Sequence, residues 1–207
     1  LRESVAHVRL VLGMPEEAAT NFARVADYRS KALGASAPET LRARLQQVLA
    51  LLDAAQAKLA LPLVEAAQRD AAQLPTDDPL RIKLRLAHAG AITALGDRPR
   101  ARKIMEVLRA EAIRLRGERD PATMEVTNNL AILLGRMGEP EEGRALLEAL
   151  VPMRAEVLGK DDPETLAALT ILLPTNEHVV AALPRAKKSL VSAPVVSPGG
   201  AGVLPAC

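Results

Sequence analysis

Residues 121–139 read PATMEVTNNLAILLGRMGE, and Met124, Leu130, Ala131, Leu134 and Met137 fall on one face at helical spacing. A second apolar stripe runs over about 140–158, through Leu146, Leu147, Leu150, Met153 and Val157. It opens on EPEEG, an acidic first turn that suits the positive end of a helix dipole. Gly138 stands between the stripes, where a helix can end in a left-handed residue. The pattern predicts two helices folded back on each other.

The same pattern recurs along the chain. LGKDDPETL at 158–166 has counterparts in LGASAPETL from Leu33, LPTDDPLRI from Leu74 and RGERDPATM from Arg116, which begin 41, 42 and 42 residues apart. Three of the loops place Asp before Pro, at Asp78-Pro79, Asp120-Pro121 and Asp162-Pro163. An N-cap carboxylate can accept from the free amides of a first turn, and proline suits the first helical position. Four residues before each loop proline stands a helix stop: Gly34, Pro75, Gly117 or Gly159. Gly13, Gly96 and Gly138 each lie 25 residues before the next loop proline, with Ala55 near that place in the remaining unit. Each period is therefore a two-helix unit. One hairpin cannot bury both of its apolar faces, so stacking predicts an all-α solenoid.

With its NNLA and LGKDDPETL segments, this 42-residue unit resembles the tetratricopeptide repeat, in the longer variety found in kinesin light chains and many bacterial proteins. The family's small position in the second helix maps to Ala18, Ala60, Ala101 and Gly143, and the bulky position four later to Phe22, Val64, Met105 and Leu147. Its small position in the first helix maps to Ala6, Ala89 and Ala131, with Val48 in the second unit. The resemblance covers about residues 1–173 and implies a right-handed solenoid of antiparallel hairpins, about four repeats plus a partial fifth. It also implies that a protein or peptide binds the concave face lined by first helices. Carried over residue by residue, the groove positions are Lys83 and Leu86 in the third unit and Glu125, Asn128, Asn129, Ile132 and Arg136 in the fourth. The asparagine amides would fix a peptide backbone, and Arg42, Lys83 and Arg136 would favour an acidic ligand.

Some features depart from the pattern. Pro62 and Pro152 fall inside second helices, where a proline costs about 3 kcal/mol unless the helix bends. The fifth unit starts at Pro163 and supplies Leu166, Leu169, Leu172 and Leu173, but Pro174 interrupts it. Residues 174–207 are rich in Pro, Gly, Ala and Ser and read as a disordered tail. Uncovered leucines in the unfinished unit would offer an apolar patch to the tail or to a second copy, hence a weak homodimer. A self-associating structural protein is the corresponding alternative function.

Composition narrows the chemistry. One Phe, one Tyr and no Trp favour closely packed helices over an aromatic-rich sandwich. The net charge of +2 is interspersed, which argues against nucleic acid. Neither a membrane span of roughly 18 apolar residues nor a signal sequence is evident, so a cytoplasmic protein is expected. Cys207 has no internal partner with which to form a bridge.

His7, His88 and His178 lack the paired spacing of a helical metal site, and His88 reads as a hydrogen-bonded packing residue. The pairs Asp77-Asp78 and Asp161-Asp162 recur where caps are needed, and SPGGAG at 197–202 lacks the lysine of a phosphate loop. No catalytic residue, metal or cofactor is expected, so the residues read as a noncatalytic scaffold. The start at Leu1 raises a further alternative, the C-terminal arm of a larger bacterial signalling enzyme such as a serine/threonine protein kinase.

Overall fold

A computed structural model describes residues 2–172. Among these residues every regular element is helical: α1 (Arg2–Val11), α2 (Pro15–Leu33), α3 (Pro38–Asp53), α4 (Ala57–Asp70), α5 (Pro79–Ala94), α6 (Arg98–Arg116), α7 (Pro121–Met137), α8 (Pro140–Val157) and α9 (Pro163–Leu172). Consecutive helices pack against one another, and α3, α5 and α7 also touch in series. The result is four stacked hairpins and the first helix of a fifth. Leu173, the tail from Pro174, His178, SPGGAG and Cys207 lie outside the described residues.

The turn inside each hairpin is the same object four times. Gly13, Gly96 and Gly138 have positive φ, and so does Ala55, at 56°. The next amide reaches back five residues, from Met14 to the Arg9 carbonyl, Gln56 to Leu51, Asp97 to Ile92 and Glu139 to Leu134. This bond closes the helix end around a left-handed residue. At the joints between hairpins, the Asp78, Asp120 and Asp162 carboxylates accept from the amides of Leu80, Ala122 and Glu164 at 2.8–2.9 Å. The second unit has Ala37 at that position and no side-chain cap; instead the Thr40 hydroxyl donates to the Gly34 carbonyl at 2.9 Å.

The core is a series of overlapping clusters. Leu80, Leu84 and Ala87 of α5 pack back onto α1 to α4, whereas Ile82, Leu86, Ala89 and Ile92 pack forward onto α6 and α7. In turn α7 sends Val126 and Leu130 backward and Met124 and Ala131 forward onto α8 and α9. The small and bulky positions are buried in every unit, and Val48 takes the small slot at 0% exposure.

A few positions differ from the sequence pattern. Val157, the last residue of α8, faces solvent instead of continuing its stripe. Both α4 and α8 continue through Pro62 and Pro152. Among the described leucines of the fifth unit, Leu169 and Leu172 are buried against Leu147, Leu150 and Val151, and Leu166 is half-buried. Ile171 of the same helix is 44% exposed, so apolar surface remains at this end of the array. Val8, by contrast, is 56% exposed while its counterparts Ala50, Ala91 and Leu133 are buried, because among the described residues no hairpin stacks on α1.

Candidate peptide-binding groove

The first helices α3, α5 and α7 form a wall with a hollow of about 740 Å³. Its lining is periodic. Gln46, Ala87 and Asn129 form one column across the three helices, Leu49, Gly90 and Ile132 a second, and Asp53, Ala94 and Arg136 a third. Members of a column are 41 or 42 residues apart, so each helix presents the same turn positions to the groove. In these three columns α5 contributes the small residues Ala87, Gly90 and Ala94, while its neighbours contribute larger side chains.

Six of the seven residues singled out from the sequence line the hollow: Lys83, Leu86, Glu125, Asn129, Ile132 and Arg136. Asn128 does not; it is one position, about 100° of helix turn, from Asn129, and its Oδ1 is buried without a hydrogen-bond partner. The Asn129 amide nitrogen donates to the Glu125 carbonyl at 2.9 Å, and its oxygen accepts no hydrogen bond among the described residues. Lys83 and Glu125 join α5 to α7 by an ion pair at 3.4 Å, and Arg42 lies off the hollow, 3.9 Å from Glu39. Of the three cations expected to attract an acidic ligand, only Arg136 enters no ion pair among the described residues. Arg98, at the start of α6, is a second such cation and lines the same end.

Sequence reasoning missed the α3 wall, Leu45, Gln46, Leu49, Leu52 and Asp53. The signal was available, since stepping back one period from α5 finds every column member on α3.

The other polar groups have structural employment. His7 packs edge-on against Phe22, with ring centres 5.1 Å apart. His88 is mostly buried and 3.7 Å from Glu65, but its Nε2 makes no hydrogen bond, contrary to the hydrogen-bonded packing role expected of it. Burial lowers its pKa from the ordinary histidine value, outweighing the opposing pull of Glu65. Among the described residues no three His, Cys, Asp or Glu side chains converge as metal ligands, and no helix is long and apolar enough to cross a membrane.

Comparison with known proteins places this geometry. The tetratricopeptide repeat profile matches residues 123–164, from the start of α7 to the start of α9. A kinesin-light-chain-type protein of Podosopora anserina with nearly identical TPR-like repeats is similar at 24% identity, covering 92% of this chain and 90% of that one, with a TM-score of 0.63. The fold is a kinesin-light-chain-like tetratricopeptide-repeat array. A variant of the same Podosopora protein aligns at TM-score 0.64 with the same identity and coverage. BtubC (BKLC) of P. vanneervenii shares the fold at 13% identity, over 93% of this chain and 98% of that one, with a TM-score of 0.61. No curated protein matches the chain. Tetratricopeptide arrays generally mediate protein–protein interaction through the extended surface that stacking creates.

Proposed function

We propose that this chain is a noncatalytic cytoplasmic scaffold that holds an extended segment of a partner protein along the wall of α3, α5 and α7. The observation that carries the reading is the hollow at Ala87, Gly90 and Ala94, flanked by apolar Leu49 and Ile132 and by the Asn129 amide oxygen. Apolar side chains of the guest would enter the hollow, and its backbone would meet the Asn129 amide. Arg98 and Arg136 at one end favour a carboxylate-bearing guest through charge complementarity. With no aromatic anchor in the wall, affinity is spread over many small contacts.

Gly90 provides the test. Its φ is ordinary, and an added Cβ would meet only Leu52 Cδ1 at 3.7 Å, normal contact. Gly90→Leu therefore fills the hollow while leaving the helix intact. Peptides selected from a random displayed library on the full chain should be enriched in Asp and Glu and should lose binding to Gly90→Leu at unchanged helicity. Peptides that bind both proteins equally would place the interaction elsewhere.

A further inference from the structure

Charge is spread unevenly over the second helices of the hairpins. Helix α6 carries seven Arg and Lys against two Glu, whereas α2 and α4 balance and α8 carries four Glu against two Arg. Three of the α6 cations tie the hairpins together. Arg102 pairs with Glu106, Glu139 and Glu142, Arg109 donates to the Thr127 hydroxyl, and Arg116 donates to the Asp120 carboxylate. The side chains of Arg98, Arg100, Lys103 and Arg114 enter no hydrogen bond or ion pair among the described residues. Arg98 lines the groove; the other three do not.

Those three share one face of the helix. Arg100, Lys103, Val107, Ala110 and Arg114 fall within a sector of about 80° and run for roughly 21 Å along α6. All five are exposed, Val107 at 47%, while Ala101, Met105, Leu108 and Ala112 on the opposite side are buried. No carboxylate interrupts this stripe. At the equivalent positions α2 mixes Glu17 and Asp27 with its cations, and α8 has Glu142 and Glu156.

We propose that this face of α6 docks an acidic helix of a partner protein. Carboxylates of the partner pair with Arg100 and Lys103 at one end and with Arg114 at the other, by charge complementarity. Between them Val107 and Ala110 are short enough for two helix axes to approach to about 8–10 Å, while the longer cations reach around the guest. The neighbouring helix limits the width of the partner. Arg102 holds Glu139 and Glu142 of the next hairpin beside the stripe, so a broad anionic surface such as a lipid leaflet would meet those carboxylates, whereas a single helix would not. Residues of α5 and α7 pack on the opposite side of α6, so the docked helix and a guest in the groove can be held at the same time. The docking holds whether or not the groove takes a peptide.

Fluorescence anisotropy on the full chain tests this docking, with a labelled alanine-rich helical peptide of about 20 residues that carries Glu on one face of its first and last turns. Neutralising the stripe by Arg100→Gln, Lys103→Gln and Arg114→Gln together should weaken binding about tenfold or more. Neutralising three cations elsewhere, by Arg2→Gln, Arg24→Gln and Lys58→Gln, should leave binding nearly unchanged, as should Gly90→Leu in the groove. Equal losses in the two triple variants would reduce the effect to net charge and overturn the site, and loss on Gly90→Leu would move the peptide to the groove. Absence of binding to the unaltered chain, or equal binding of a peptide of the same charge interrupted by prolines, overturns an acidic helix as the partner. Stripe-dependent sedimentation with phosphatidylserine vesicles while the peptide stays free would assign the face to a membrane and overturn the proposal as well.

Discussion

The second and fourth hairpins reach the same shape by different chemistry. In the fourth, Gly138 supplies the left-handed turn residue and Asp120 caps α7. That carboxylate is gripped by Arg116 at 2.7 Å, and the same arginine donates to the Asp77 carbonyl of the preceding joint. In the second, an alanine stands in the left-handed turn, the cap position holds Ala37, and the joint is tied by Thr40 to Gly34 and by Arg29 to the Glu39 carbonyl. Hydrogen bonds within the intra-hairpin turns are nevertheless the same. The stacking of apolar faces sets the path of the chain, and turn chemistry adjusts its cost.

The substitution that damages the fourth hairpin most should be Gly143→Ala. Its second unit counterpart is Ala60, fully buried without conflict, yet a Cβ at Gly143 would lie 2.6 Å from the Ala131 carbonyl oxygen. Forcing two helix backbones apart costs about 1–3 kcal/mol, read as a lower midpoint in urea unfolding. An unchanged midpoint would mean that α7 and α8 are free to separate.

Next in size is Asp120→Ala, which removes the cap and should cost about 1 kcal/mol at neutral pH. The effect has a defined pH dependence. The hydrogen bond from Arg116, and then the amides of Ala122 and Thr123, lower the Asp120 pKa in the folded chain despite burial. A depressed folded value means the contribution is fully present above the unfolded aspartate value of about 4 and is lost as pH falls through the folded one. The difference between wild type and Asp120→Ala should shrink in that acid range. A gap that stays constant down to strong acid would show that the carboxylate charge contributes nothing.

The smallest effect has the opposite sign. Replacing Ala55 by Gly gives the second hairpin the turn residue of the other three and relieves a left-handed alanine, worth about 1 kcal/mol or somewhat less after the entropy of glycine is counted. A rise of a few degrees in melting midpoint is expected. A fall would indicate that Ala55 is held without strain.

Local signals made the joints legible before the structure: the Asp-Pro caps and the spaced glycines each act within a few residues. The groove was legible only in part. Glu125, Asn129, Ile132 and Arg136 follow from the NNLA segment, but the hollow depends on Ala87, Gly90 and Ala94 being small, and small residues on a helix also read as close packing. Ion pairs inside the hairpins were unreadable for a different reason. Arg44 with Asp70 and Arg85 with Glu111 occupy one equivalent pair of positions, whereas the first unit pairs Glu3 with Arg29 off that register and with the acid on the first helix of the hairpin. The fourth unit has Thr127 and Met153 there, so neither a charge pattern nor a residue type repeats. Gly143 was identified as a small position, although its need for glycine over alanine depends on the distance to the Ala131 carbonyl, which no residue pattern encodes.

The two-faced role of α5 and α7 also has a mechanical side. Each sends alternate side chains into the core behind it and the core ahead of it, so no single packed centre spans the molecule. Such an array behaves as springs coupled in series, where load applied at one end passes from helix to helix and strain collects at the most compliant joint. A guest lying across α3, α5 and α7 would bridge two of those springs and stiffen the span between them.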